Sequence, residues 1–202
     1  FMSDLSFFDE LKLKASYGTQ GNDNIGTWYA YKNLYDVNRI DGEPSTSLAF
    51  RGNPDLSWEK STNFNAGFEM QGWNKRLVLN ADFFIKETKD LLYAKPLAVS
   101  EGLPGTIFVN DLDMKNTGFE VEVALDVVKM RDLQWNVNLN LTHYKNALTR
   151  LPSDKAELIA RDGGYQAGSY WRKEGGSLYD FYTYEYKGVD EVSGKALYGV
   201  YA

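Results

Sequence analysis

One histidine, no cysteine and 28 carboxylates set the chemistry open to this 202-residue chain. His143 is the lone imidazole, which excludes every site that needs two. Without thiols there is no disulfide scaffold, Cys-ligated zinc, iron–sulfur cluster or thiol nucleophile. Nucleophilic catalysis needs a base beside the nucleophile. His143 falls in the apolar phase of an alternating run, where no triad partner faces it, and reads as a packing or interfacial residue. Paired carboxylates hydrolyse glycosides, and Glu120, Glu122 and Asp126 share the polar phase of one run, where they read as a wet wall rather than as a catalytic pair. Asn22-Asp-Asn24, Asp111-Leu-Asp113 and Asp190-Glu191 offer oxygen ligands to calcium. None has the ordered D-x-[DN]-x-[DN]-G loop, and turn-forming side chains account for them. Gly102-Leu-Pro-Gly105 and Gly163-Gly164 lack the Lys-Ser/Thr of a phosphate loop and read as turns. No catalytic residue, metal site or cofactor is expected.

The aromatic residues are the stronger candidates. There are 5 Trp, 14 Tyr and 11 Phe, an unusual load for a polar chain. Trp28, Tyr29, Tyr31 and Tyr35 cluster in one long connection, and Tyr165, Tyr170 and Trp171 in another. A flat ring with polar neighbours stacks on sugar C–H faces or packs on a partner protein. The plainer reading is that long loops need small cores of their own.

The elements that must carry these groups follow a period of two. Leu11, Leu13, Ala15 and Tyr17 alternate with polar or small residues; so do Phe64, Ala66, Phe68 and Met70. Leu77 to Ile85, Phe119 to Val127 and Leu133 to Leu141 repeat the pattern. Each is a strand with one apolar and one polar face. A sixth run is expected over Leu178–Tyr186 and a seventh from about Ala196. Only Ser153–Arg161 has helical character, with Ser153 as N-cap candidate.

The five clear strands run to about 10 or 11 residues, against about 5–6 in soluble domains. At about 3.3 Å per residue and a tilt of about 40°, they project to roughly 27 Å, near the apolar band of an outer-membrane barrel. Connections alternate as well: Gln71–Lys75 and Val128–Asp132 are short, whereas Thr19–Lys60, Glu87–Lys115 and Lys145–Ser177 are long. The apolar phase carries no charge through the five strands, as a lipid-contacting surface requires. Trp73 and Trp135 near the short turns, and Tyr17 and Tyr144 near the long loops, suggest interfacial girdles. No run of 18 apolar residues exists and mean hydropathy is −0.46, so no spanning helix is expected. The net charge of −6 argues against nucleic acid as a partner. Phe1 at the start, and Lys195–Tyr201 running like mid-strand to the end, read as cuts within a longer protein.

Five segments then resemble a known family in its own order. Leu11-Lys-Leu-Lys-Ala-Ser-Tyr-Gly-Thr-Gln-Gly-Asn22 is similar to the "LKLRASYGxxGN" of SusC/RagA-type TonB-linked outer-membrane proteins, and Asn53-Pro-Asp-Leu-Ser-Trp-Glu59 to their "NPDLxWE". Phe83–Leu92 resembles "YxxxTxDLL", Asn116-Thr-Gly-Phe-Glu120 resembles "NxGFE", and Glu174–Tyr198 resembles "FYGYxYxGVDxxTGxxLY". Ser177-Leu-Tyr-Asp180 and Ser193 depart from the usual small residues and Thr. The resemblance implies an all-β, up-and-down antiparallel barrel of about 22 strands around a plug. This chain would supply about seven of those strands from the C-terminal half, with short periplasmic turns and long extracellular loops. Residues 1–202 would be part of that one barrel domain, with the plug absent from the chain.

The implied function is TonB-dependent import of oligosaccharides or peptides across the cell outer membrane, without a chemical step. The implied partners are a SusD-like surface lipoprotein, TonB through the absent plug region, the glycan or peptide substrate, and membrane lipid with lipopolysaccharide. Seven strands alone would leave two bare edges and could not transport. Two rival readings are a soluble β-sandwich carbohydrate-binding module, which needs no detergent, and a glycosidase on a β scaffold, which needs two carboxylates in a cleft.

Overall fold

The computed structural model describes residues 7–98, 100 and 105–199. β1 (Phe8–Asn22) leads into a long connection that carries the hairpin β2 (Leu34–Ile40) and β3 (Glu43–Phe50). Its two-residue turn, Asp41-Gly42, has φ of 54° and 88°, the mirror-image turn that matches strand twist. β4 (Glu59–Gly72) and β5 (Leu77–Lys89) meet at a tight turn. A second long connection holds the hairpin β6 (Leu92–Pro96) and β7 (Thr106–Asn110), followed by β8 (Asp113–Lys129) and β9 (Gln134–Arg150) around another short turn. Beyond Arg150 come a 3-10 turn (Ser153–Lys155), α1 (Ala156–Asp162), β10 (Tyr165–Ala167), β11 (Tyr170–Arg172), β12 (Tyr186–Val189) and β13 (Ala196–Tyr198).

The long strands form one antiparallel sheet in the order β1-β4-β5-β8-β9. Cross-strand partners share a face, so the register turns five sequence runs into rows. Leu13, Phe68, Ala81, Val121 and Leu141 make one row; Leu11, Met70, Leu79, Val123 and Leu139 make the next. Ala15, Ala66, Phe83, Phe119 and His143 lie on the other side, with the His143 ring 5.7 Å from Phe119. The opposite face carries Lys12, Glu69, Asn80, Glu122 and Asn140 in one row, and Lys14, Gly67, Asp82, Glu120 and Thr142 in another.

Nothing among the described residues packs a second sheet on the apolar face. Leu13 is 82% and Leu139 61% exposed. A sandwich buries that face under a partner sheet, so the soluble-module reading is not supported.

The strands are longer than expected, at 13 to 17 residues. The extra length lies at the ends next to the long connections, where the apolar phase turns polar: Thr19, Thr62, Glu87 and Lys115 form one row there. The apolar stretch from Leu77 to Ile85 covers about 26 Å along the strand, or about 20 Å of height when tilted. Of the girdle aromatics, Tyr144 is misplaced by the sequence reading. It pairs with Gly118 and so stands on the polar face.

The sixth expected strand does not form. Gly175 and Gly176 exchange backbone hydrogen bonds with Leu148 at the outer end of β9, but the chain then leaves that edge. Trp171 N–H donates to the Asp180 carbonyl and Tyr182 N–H to that of Ser169, so residues 180–182 pair with the β10–β11 region instead. The seventh survives as β13, which pairs with β12 and not with the sheet; its expected continuation through Val200 lies outside the described residues. Most of the turn expected at Gly102–Gly105 lies outside them too. Ser153 is not a side-chain cap: its N–H and hydroxyl both donate to Asp111 Oδ2, at 2.7 and 2.6 Å.

Candidate functional site

The polar face is a charged, hydrogen-bonded wall. Lys14 Nζ lies 2.9 Å from Asp82 and 3.3 Å from Glu69, and Asn80 donates to Glu122 at 3.3 Å. Gly67 makes the first pair possible, because a Cβ there would collide with the Asp82 carboxylate and the Ala81 carbonyl. Asp82, Glu120 and Glu122 border a shallow concavity of about 270 Å³ with Asn80, Asn140 and Thr142. Asp126, the third carboxylate of the run, accepts a hydrogen bond from Asn136 at 2.5 Å.

At the opposite end from the short turns, side chains bind the three long connections together. Glu59 accepts from the Asn22 amide at 2.9 Å and from Leu92 N–H at 3.0 Å. Asn53 accepts Asp55 N–H at 3.1 Å and donates to the Phe108 carbonyl at 2.9 Å. Asn110 accepts Ser57 N–H and donates to the carbonyls of Ser57 and Asp90, all at 2.7–2.8 Å. Arg150 completes the clasp: its guanidinium meets Asp90 at 2.9 Å, Asp113 at 2.8 Å and Asp111 at 3.6 Å. Burial opposes ionisation of Asp113, but the Arg150 guanidinium and the Asp90 N–H outweigh it and hold the carboxyl below its ordinary range. Thus Asp111 and Asp113, considered above as calcium ligands, face a cation. Asn22 and Asp190 make local turns, accepting Asn24 N–H and the N–H groups of Val192 and Ser193.

The seven loop aromatics divide. Trp28 and Tyr31 come together with Trp58 around an open concavity of about 810 Å³, whose polar edge is Asp23, Asn24 and Ser57. Trp28 is 91% exposed and Trp58 65%. Tyr29 and Tyr35 are exposed but outside this lining. Tyr165 is buried, at 3% exposure. Tyr170 packs its ring 5.5 Å from Tyr179 and 5.6 Å from Phe181, and Trp171 lies 5.1 Å from Tyr182. The third connection therefore spends its rings on its own core. Burial, then the nearby Asp154, pushes the Tyr93 phenol up where β6 meets that core.

A sheet with a bare uncharged face, a charged opposite face and its large loops at one end has the build of a membrane barrel wall. The sequence model described as TonB dependent receptor-like, beta-barrel matches residues 4–202. The chain belongs to the TonB-dependent receptor β-barrel family. It is 31% identical over 192 residues to TonB-dependent receptor P39 of Formosa agariphila, covering 94% of this chain and 17% of that protein. It is 28% identical over 200 residues to TonB-dependent receptor SusC of Bacteroides thetaiotaomicron, covering 92% and 20%. The solved RagAB peptide importer in its closed-closed state superposes with TM-score 0.79 at 30% identity, over 98% of this chain and 21% of that one. The chain thus spans about a fifth of the length of these relatives. Barrels of the SusC/RagA type are outer-membrane proteins, so the apolar face is the lipid side and the charged face the lumen side.

In a receptor barrel the clasp sits above the lipid band, at the base of the outer loops. Sequence reading quoted Asn53, Trp58 and Glu59 within a motif but gave them no task, and it missed Asn110 and Arg150. Asn53 and Glu59 were findable, because polar residues flanking Pro and Trp in a loop stand out. Arg150 was not: its three carboxylates come from another connection, 37 to 60 positions away.

Proposed function

We propose that residues 1–202 are part of one barrel domain of an outer-membrane importer of oligosaccharides or peptides. In this reading the chain supplies lipid-facing wall, lumen wall and outer loops, and it carries out no chemical step. A plug elsewhere in the protein would receive energy through TonB, and a SusD-like surface lipoprotein would lid the barrel. Lipid and lipopolysaccharide would surround the apolar face; no nucleic acid and no cofactor take part. The observation that carries the proposal is the unbroken uncharged face over five strands backed by a charged one, because the wall of a membrane barrel alternates an uncharged lipid side with a polar lumen side.

Within this reading Trp28, Tyr31 and the adjoining Trp58 are cargo or lid contacts, since exposed rings around a concavity are the interface-forming kind. Tyr29 and Tyr35 extend that surface, and Tyr165, Tyr170 and Trp171 act by holding the third loop in shape. The test is the mass and location of the native polypeptide. A chain several times heavier than 23.0 kDa, extracted from outer membranes only by detergent and copurifying with a surface lipoprotein, is the expected result. A soluble native chain near 23.0 kDa would refute the proposal.

A further inference from the structure

The lumen phase of the five strands is polar, with two aromatic exceptions that the register sets in one row on either side of a glycine. Asn65, Phe84, Gly118 and Tyr144 are successive partners across β4, β5, β8 and β9. Gly118 is the gap that lets the rings share this place. A Cβ on it would stand 2.7 Å from Phe84 Cζ, 2.7 Å from Tyr144 Cβ and 2.5 Å from the His143 carbonyl oxygen. Phe84 therefore lies across a bare backbone beside Tyr144, which is 62% exposed. The result is an aromatic patch in a hydrophilic wall.

Around it is a concavity of about 380 Å³ lined by Asn63, Asn65, Lys86 and Asn116 together with the two rings. The amides are set with mixed polarity. Asn65 donates to Ser16 Oγ at 3.3 Å and keeps its oxygen as an acceptor, while Asn116 accepts from Asn146 at 2.7 Å and keeps its N–H₂ as a donor. No carboxylate lines this place; Asp82, Glu120 and Glu122 line a separate concavity of the wall.

We infer that this patch is a way station on the lumen wall for a sugar ring of the cargo. A pyranose offers a flat C–H face to an aromatic floor and a rim of hydroxyls that both donate and accept, which is the complement of rings edged by amides. A peptide's ammonium groups would instead seek the carboxylates, and this patch has none. The inference rests on the import reading above and narrows it to glycan.

The experiment uses the full-length transporter with its lipoprotein in living cells, supplied with labelled maltohexaose, labelled hexagalacturonate or a labelled pool of short peptides. Uptake kinetics are compared for the wild type, Phe84→Ala, Tyr144→Ala and Tyr144→Phe. Heat-modifiable mobility and surface display serve as checks on folding. The expected result is glycan uptake whose KM rises about fivefold or more in both alanine variants, in line with the loss of one aromatic contact, and is restored by Tyr144→Phe. Glycan uptake unchanged in folded alanine variants overturns the site. Alanine variants that fail to fold or display, beside a wild-type-like Tyr144→Phe, also overturn it by making the rings structural. Uptake of peptides alone overturns the sugar assignment and leaves the import reading standing. Uptake of none of the probes by the wild type overturns the import reading itself.

Discussion

The two faces of the five-stranded sheet share one backbone and differ in everything else. On the lipid side, rows such as Leu13, Phe68, Ala81, Val121 and Leu141 meet no second layer among the described residues. On the lumen side, Lys14, Asp82 and Glu69 are knit by charge-assisted contacts of 2.9 and 3.3 Å. The lipid face is specified by what it excludes, since one charge there has no water and no partner. The lumen face is specified by pairings, and an extra charge there finds solvent. The difference teaches that tolerance to a substitution in this chain is set by the parity of its position before the identity of its neighbours.

The strongest way to break that comparison is to put the same charge on both sides. Leu139→Lys or Val123→Lys should impair membrane insertion by about 2–4 kcal/mol near the midplane, whereas Asn138→Lys, one residue from Leu139 on the other face, should cost little. Reversible folding of the full-length protein into lipid vesicles reads the difference. Equal losses on the two sides would mean that the faces are wrongly assigned.

A second test sharpens the lumen side, where tolerance should fail wherever two backbones approach closely. Gly118→Ala should destabilise by about 1–3 kcal/mol, the range for overpacking, because the added methyl meets the His143 carbonyl oxygen, which cannot rotate away. Gly18→Ala, on the same face of β1, has open space around it and an ordinary φ. It should be neutral or slightly stabilising through the unfolded chain. Thermal unfolding of the two variants in detergent decides the matter, and matching midpoints would remove Gly118 from the argument.

How much of this was legible beforehand follows from the same distinction. A period of two is a local property, so Leu11 through Tyr17 announced a strand and its faces without any partner. The register, however, is a pairwise fact: that Tyr144 stands opposite Gly118 needs both strands. Its lumen side was already legible, because it shares the phase of Asn138, Asn140 and Thr142. The expected girdle place was wrong because nearness to a loop was read ahead of that phase. The aromatic run from Leu178 to Tyr186 has strand-like composition, but residues 169–171 compete for its backbone bonds, and composition does not rank competitors. The loop aromatics split along the same line. Trp28 and Tyr165 look equally available in the sequence; one is 91% and the other 3% exposed. Exposure in a long connection depends on which rings its own core consumes, as Tyr170 with Tyr179 and Phe181 illustrates.

The smallest effect is expected above both faces, where the clasp holds loops that neither lipid nor ladder bonds fix. Asp113 is the group to test, because its side chain is only 16% exposed against Arg150 and its carboxyl is held below the ordinary range. A folded-state value below the unfolded one, about 3.9, stabilises the clasp above that unfolded value. The contribution drains away as pH falls through the folded value. Amide hydrogen exchange of residues 90–96 and 106–113 in the full-length protein should therefore be flat from neutral pH down to about 4, after correction for intrinsic rates, and should quicken below it. Asp113→Asn should show faster exchange already at neutral pH and lose most of the acid-dependent step, while amides in the middle of β5 and β8 stay protected in both proteins. Were the acid step to persist undiminished in Asp113→Asn, the pH response would belong to other groups in the loops, and the Arg150–Asp113 pair would be a bystander in the clasp.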